Sequence, residues 1–223
     1  MRDGLQHAAS FDPIGFLGPP GTFTEEALLA DEELARSELV SYSSIAEALA
    51  AADCGEVGAA FVPMENSIEG TVPVTLDHLV FDSQLLIQKE AVLDVHLHLL
   101  APVGLALEDI RRIVSFPHAS AQCRRFLRQH VPLAELIASN STADAARKVG
   151  ANEMPGAAAI APLLAGRLYG LEPVAEEIED YDDNQTRFVL VAPGIVPPPS
   201  GHDRTSIVCF QGTDRPGSLL QIL

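Results

Sequence analysis

Apolar and polar positions follow two periods along this chain, and the periods take turns. Ile14-Gly15-Phe16-Leu17-Gly18 is a short apolar run closed by Pro19-Pro20-Gly21, which predicts a buried strand and then a turn. A helix is expected from about Thr22, because Thr22 and Glu25 have the spacing of a capping box that occupies the first free helix amides. Leu39 to Tyr42 predicts a second strand, Ser44 with Glu47 repeats the box, and Gly58 to Pro63 predicts a third strand ending at Met64-Glu65-Asn66-Ser67. Strand, helix, strand, helix, strand argues a parallel sheet of the α/β class.

Leu85 to Ala101 is a long β-type stretch, with alternation across Val92 to Leu100. A second α/β set follows. Its predicted strands are Ile110–Val114, Leu133–Ile137, Ala157–Ile160 and Thr186–Val191; its predicted helices are Ala119–His130, Ser141–Val149 and Pro162–Tyr169. Two such units joined by a long β stretch predict two α/β lobes with a cleft between them, as in periplasmic-binding-protein folds. Residues 12–196 are expected to form this unit, the first lobe taking about 12–90 plus 187–196 and the second about 91–186. A Pro/Gly/Ser-rich linker follows at about 197–202. Beyond it Thr205–Phe210 predicts a strand and Ser218–Leu223 the start of a helix. A strand and half a helix cannot bury their own core, so 203–223 is expected to open a further α+β domain of a longer protein.

Charge narrows the partners. The formal net charge of −17 over 223 residues repels polyanions, so no nucleic-acid partner is expected. Any small anion must be held locally, by arginines or helix N-termini. Three scattered cysteines, Cys54, Cys123 and Cys209, show no metal or disulfide spacing and suit a reducing compartment. No apolar run reaches the roughly 18 residues of a membrane span, so a cytoplasmic protein without membrane contact is expected.

Asn184-Gln185-Thr186-Arg187-Phe188-Val189-Leu190-Val191 places a hydroxyl and a guanidinium side by side at the head of a buried-strand run. Thr186 can donate a hydrogen bond and Arg187 can pair with a carboxylate, which suits an acidic small molecule that must lose a hydroxyl. Polar clusters sit where α/β folds gather their sites, at strand ends and helix starts: Thr22-Phe23-Thr24, Glu65-Asn66-Ser67, Ser115, and Ser141-Thr142. Thr22, Ser44 and Ser141 also read as plain helix caps, and Glu65-Asn66-Ser67 as a strand-end turn. Asp94, His96 and His98 alternate and would share one strand face, which reads as a solvated face and not a metal site. The acidic run Glu176–Asp183 reads as a solvated loop.

Six segments, in one order, carry a family resemblance. Gly18-Pro19-Pro20-Gly21-Thr22-Phe23-Thr24-Glu25-Glu26-Ala27, Val62 to Val72, and Ser115-Phe116-Pro117-His118-Ala119-Ser120-Ala121-Gln122-Cys123 resemble three motifs of prephenate dehydratases. Ser141 to Ala146, Ala158 to Ala161 and Asn184 to Phe188 resemble three more. Arg204 to Phe210 with Asp214 to Leu219 is similar to the opening of an ACT regulatory domain.

The resemblance implies loss of water and carbon dioxide from prephenate to give phenylpyruvate, in phenylalanine synthesis, with no cofactor and no metal. It implies Thr186, Arg187, Asn66, Ser115 and Gln122 as the catalytic group. Thr22, Phe23, Thr24, Glu65, Ser67, Ser141, Thr142 and Phe188 are implied to bind substrate. Thr186 is expected to donate to the departing hydroxyl; Arg187 is expected to pair with a substrate carboxylate or with an internal acid such as Glu65. A homodimer or tetramer regulated by phenylalanine is implied for the longer parent. The chain departs from the family at Phe116, where relatives often have His, at His118, where they often have Gln, and near Leu97. These changes leave room for the amino analogue arogenate, with Glu65 or Asp183 as the acid for its amine. A ligand-binding protein without catalysis is the remaining alternative.

Overall fold

The computed structural model describes residues 11–194, 196, 199, 201, 203–209, 217 and 220. The first lobe opens with β1 (Ile14–Leu17), α1 (Phe23–Ala30), β2 (Leu39–Tyr42), α2 (Ile45–Asp53) and β3 (Ala59–Asn66). β4 (Gly70–Thr71), α3 (Pro73–Asp77) with a π-helical turn at His78–Asp82, and β5 (Leu85–Asp94) complete its continuous part. The second lobe holds β6 (His98–Pro102), β7 (Arg112–Ser115), α4 (Pro117–Gln122), α5 (Arg124–His130) and β8 (Glu135–Ala138). It continues with α6 (Thr142–Gly150), β9 (Ala157–Ala161), α7 (Leu163–Tyr169) and β10 (Leu171–Ala175). β11 (Gln185–Pro193) then returns to the first lobe.

Two sheets result. The first runs β2-β1-β3-β11-β5, with β4 beside β3; the second runs β10-β6-β9-β7-β8. Both are mixed, which corrects the expected parallel sheet. β2, β1 and β3 are parallel, but β11 lies antiparallel between β3 and β5. The reason is topological: β11 re-enters after the whole second lobe, from the opposite end of the sheet. Its apolar run, Phe188 to Ala192, is buried on both faces, with Phe188, Leu190 and Ala192 packed toward α1 and Val189 and Val191 toward α2. Phe61 and Phe188 stack at 5.4 Å between centroids and hold β11 to β3 just below its polar head.

The Leu85–Ala101 stretch divides into β5 and β6, one in each sheet. Residues 95–97 between them are therefore a crossing between lobes, and Asp94, His96 and His98 do not share a strand face. The second crossing lies beside it: Val95 N donates to Asn184 O at 2.7 Å, and Ile178 N to Leu97 O at 2.8 Å. β5 extends to Asp94 and β11 starts at Gln185, so the first lobe's strands reach further than the boundaries at 90 and 187. The helix expected over Ala119–His130 is broken at Cys123, whose φ/ψ of −112°/17° ends α4. Asp180 then caps the new start by accepting from Arg125 N at 3.0 Å. The acidic run is thus partly structural: Ile178 is buried, and Glu179 accepts from Leu97 N at 2.9 Å and contacts His96 Nδ1 at 2.9 Å.

β10 is an edge strand that the sequence pattern hid, because Pro173 can sit only where no ladder donor is required. Thr205–Phe210 is expected as a strand, but residues 205–209 form none and are exposed; a strand needs a neighbour for its ladder, and no described strand pairs with them. Phe210 and most of Ser218–Leu223 lie outside the described residues. Among the described residues no helix is long and apolar enough to cross a membrane.

Candidate active site

The lobes face each other across a cavity of about 280 Å³. One wall is apolar, with Leu17, Phe23, Pro63, Leu97, Phe116 and Phe188. The remainder is almost wholly neutral and polar, and Glu69 is the single carboxylate among the lining residues, which include no lysine or arginine.

Thr186 and Asn66 are register partners across β11 and β3, so both project from the cleft face of the ladder. Asn66 Oδ1 accepts from the backbone amides of Ile68 and Glu69, both at 2.9 Å. That fixes the amide: its nitrogen must face the other way. Nδ2 stands 2.9 Å from Thr186 Oγ1, 2.8 Å from Asn184 Oδ1 and 3.1 Å from Gln185 O, sharing its two hydrogens among them. Thr186 Oγ1 is therefore an acceptor toward Asn66. Its own hydrogen has no acceptor among the described residues, and the side chain lines the cavity.

Gln122 comes from α4 on the other side. Its Oε1 accepts from Asn184 Nδ2 at 3.0 Å and its Nε2 donates to Glu69 Oε1 at 3.2 Å. His118, one turn earlier, meets Glu69 Oε2 through Nδ1 at 2.8 Å. Glu69, on the turn between β3 and β4, thus bridges the cleft to two residues of α4 at helical i,i+4 spacing.

Two helices start at the cavity. Thr22 caps α1, with Oγ1 accepting from Glu25 N at 3.3 Å and donating to Leu17 O at 3.0 Å; its hydroxyl is fully engaged, so Thr22 shapes the wall as a cap. Glu25 accepts from Gly21 N at 2.5 Å, one residue before the N-cap amide that the expected box would engage. Gly21, at φ +93°, packs close on Ala165 of α7, where a Cβ would stand 3.1 Å from the Ala165 Cα. Thr24 is a buried residue that lines the cavity, and its hydroxyl makes no hydrogen bond among the described residues. Across the cleft Ser141 caps α6, accepting from Asp144 N at 3.0 Å, and leaves the amides of Thr142 and Ala143 without a helical partner. Asp144 is locked below them. Burial would raise its pKa, but bonds from Lys148 at 2.7 Å, Ser139 at 2.7 Å and Arg147 at 2.9 Å outweigh that and hold it well below the usual carboxylate range.

Of the residues singled out in the sequence, Thr22, Phe23, Thr24, Asn66, Gln122, Ser141, Thr142, Thr186 and Phe188 meet at the cavity. Four do not. Arg187 points from the opposite face of β11, where its Nε donates to Glu90 at 2.7 Å and its Nη1 lies 3.6 Å from Glu65. Strand alternation separates it from Thr186, so of its two expected partners it takes the internal acid. Glu65 shares that outer face for the same reason. Ser115 donates to Phe116 O at 3.1 Å and lines a separate small cavity with Ile113, Ser120 and Leu136. Ser67 ties the turn after β3 to the start of β11, donating to Asp183 O at 2.8 Å and accepting from Gln185 N at 2.9 Å. Neither Glu65 nor Asp183 lines the cavity to serve an amine.

Glu69, Asn184 and Asn140 line it without having been singled out. The first two sit inside matched motifs, but nothing local marks them: their side-chain partners are 49 to 118 residues away in sequence. His98 is buried, which lowers its pKa, while the Glu179 hydrogen bond raises that of His96. No group of three or more His, Cys, Asp or Glu among the described residues is placed to hold a metal ion.

Known proteins share this architecture. The family model for prephenate dehydratase matches residues 14–194. The prephenate dehydratase of Amycolatopsis methanolica is 43% identical over 212 residues, covering 94% of this chain and 68% of that protein. The crystal structure of an Arthrobacter aurescens prephenate dehydratase in complex with L-Phe superposes with a TM-score of 0.85 at 39% identity, covering 93% of this chain and 69% of that one. A protein described as GqqA, a novel type of quorum quenching acylase, superposes at 0.73 with 31% identity, over 84% and 67% of the two chains. By the family match and the extent of these likenesses, the chain belongs to the prephenate dehydratase family.

Proposed function

We propose that Thr186 is the proton donor in the reaction of this family, which this chain performs: decarboxylating dehydration of prephenate to phenylpyruvate, in phenylalanine biosynthesis. The observation that carries the assignment is the direction of one hydrogen bond. Asn66 is locked as a donor to Thr186 Oγ1, so the threonine proton is left to face the cavity. The ring carboxylate leaves as carbon dioxide and its bonding electrons enter the ring. The C–O bond breaks at the other end of the ring, and the hydroxyl departs as water after taking one proton. A threonine is too weak an acid to ionise fully, so Thr186 donates a hydrogen bond that relays that proton. Aromatisation supplies the driving force, and a positioned donor contributes roughly 10²- to 10⁴-fold.

The substrate carboxylates are assigned to the starts of α1 and α6, where free amides and the hydroxyls of Thr24 and Thr142 converge from opposite lobes. Uncharged donors suit a reaction in which one carboxylate disappears: a fixed arginine there would hold the ground state and oppose loss of carbon dioxide. An acylase mechanism has less support. It needs a nucleophile beside a base, and no hydroxyl lining the cavity is hydrogen-bonded to a histidine among the described residues. The deciding experiment is phenylpyruvate formation from prephenate, without added metal, by wild type and Thr186→Ala. Turnover that drops about 10²-fold or more in the variant is expected; turnover that survives would remove Thr186 as donor.

Residues 203–223 are assigned as the start of an ACT domain, with phenylalanine as effector and a homodimer or tetramer as the assembly. Calorimetric titration with phenylalanine and sedimentation of the full-length protein test these two assignments. Absence of binding heat would remove the effector, and a monomer the assembly.

A further inference from the structure

We infer that Glu69 fixes the direction of the Gln122 and Asn184 amides that lead to the Asn66 donor of Thr186, and is therefore a positioning residue for the proton donor; this rests on the Thr186 assignment. Four residues close a ring beside the cavity. Glu69 Oε1 accepts from Gln122 Nε2, Gln122 Oε1 accepts from Asn184 Nδ2, and Asn184 Oδ1 accepts from Asn66 Nδ2. Asn66 Oδ1 accepts from Glu69 N, which returns the ring to its start. Asn66 Nδ2 also reaches Thr186 Oγ1.

Three members are primary amides, which keep nearly the same shape when turned end for end. A carboxylate offers only acceptors, so it cannot be reversed. Glu69 forces Gln122 to present its nitrogen, which forces its oxygen toward Asn184, which in turn offers its oxygen to Asn66. The backbone amides of Ile68 and Glu69 fix the Asn66 end in the same sense. Without the carboxylate, Gln122 is free to turn and face Asn184 nitrogen to nitrogen. Asn184 can then turn as well, and its nitrogen would stand opposite that of Asn66. The second Glu69 oxygen is held by His118, so the ring also ties α4 of the second lobe to the turn after β3 in the first. Asn184 is itself buried at a lobe crossing, where a misdirected amide loses partners that few other groups can replace.

Two measurements on the intact protein test this. Steady-state kinetics of wild type, Glu69→Ala and Glu69→Gln should show kcat reduced about 10-fold in Glu69→Ala, with a smaller change in KM. Glu69→Gln, whose amide oxygen still accepts from Gln122, should return kcat to within about threefold of wild type. A kcat in Glu69→Ala within twofold of wild type, or no recovery in Glu69→Gln, would overturn the role. Side-chain amide NMR needs no turnover. In Glu69→Ala the NH₂ resonances of Gln122, Asn184 and Asn66 should move together, and in Glu69→Gln those of Asn184 and Asn66 should stay. Movement confined to Gln122 would sink the proposal, whereas a wild type that does not convert prephenate would instead remove the Thr186 reading.

Discussion

The two faces of the β3–β11 ladder carry neighbouring residues of the same two strands and do opposite things. On the cleft face Asn66 stands opposite Thr186, and the groups hydrogen-bonded to these two side chains are neutral amides. On the outer face Glu65 stands opposite Arg187, and Glu90 of β5 completes an ion pair, with Arg204 of the following segment on its other oxygen. A pleat sends adjacent side chains to opposite faces, so one dipeptide, Thr186-Arg187, supplies both. Directional hydrogen bonds define where a proton goes, whereas partly solvated ion pairs mainly hold strands together and are screened. The cleft face is therefore expected to govern rate and the outer face stability.

Asn66 offers the largest effect that would sharpen this contrast. Asn66→Ala removes the donor to Thr186, and turnover is expected to fall about 10- to 10²-fold. Asn66→Asp is the more telling change. Its carboxylate can still accept from Ile68 N and Glu69 N, so the turn survives, but it cannot donate to Thr186 and would draw the threonine proton toward itself. Turnover as slow as that of Asn66→Ala, with unchanged thermal unfolding, is expected. An Asn66→Asp enzyme near wild-type rate would show that the direction of this bond does not matter.

How far the sequence revealed this contrast depends on distance along the chain. The caps at Thr22, Ser44 and Ser141 involve partners three residues away, and each forms as the spacing predicts. Thr186 is legible because it heads an apolar run. Which face Ser115 or Arg187 would take was not legible, because the register of a strand decides it and register is set by distant partners. The Asn66–Asn184 bond spans 118 residues and exists only once β11 has inserted beside β3. The β5–β6 break was equally hidden, since the alternation over Val92 to Leu100 runs straight through it and only the second sheet pulls the two strands apart.

Arg187 is the next test, from the outer face. Arg187→Leu leaves Glu90 and Glu65 without its guanidinium, and both are partly exposed. Unfolding in urea is expected to show a loss of about 1–2 kcal/mol, with turnover changed less than about threefold. Arg187→Lys should recover part of the stability but not all, because a single ammonium cannot span both acids as the fork does. Turnover slowed by about two orders of magnitude with intact stability would break the comparison, since it would put the guanidinium in the chemistry.

Asp144 gives the smallest effect and extends the same reasoning to the second lobe. Its carboxylate is held by Lys148, Ser139 and Arg147 beneath the start of α6, and its pKa is depressed on folding. A depressed carboxylate stabilises the fold fully above its unfolded value of about 3.9, and that contribution fades as pH falls below it toward the folded value. Asp144→Asn should therefore cost about 1–2 kcal/mol near neutral pH and progressively less from about pH 4 down to about pH 2. Urea unfolding of both proteins across that range reads the difference directly. A gap that stays constant with pH would mean that shape and not charge holds this site. A gap that closes on acidification would place Asp144 with Arg187, among the charges that hold the walls around the hydrogen-bonded groups that direct the proton.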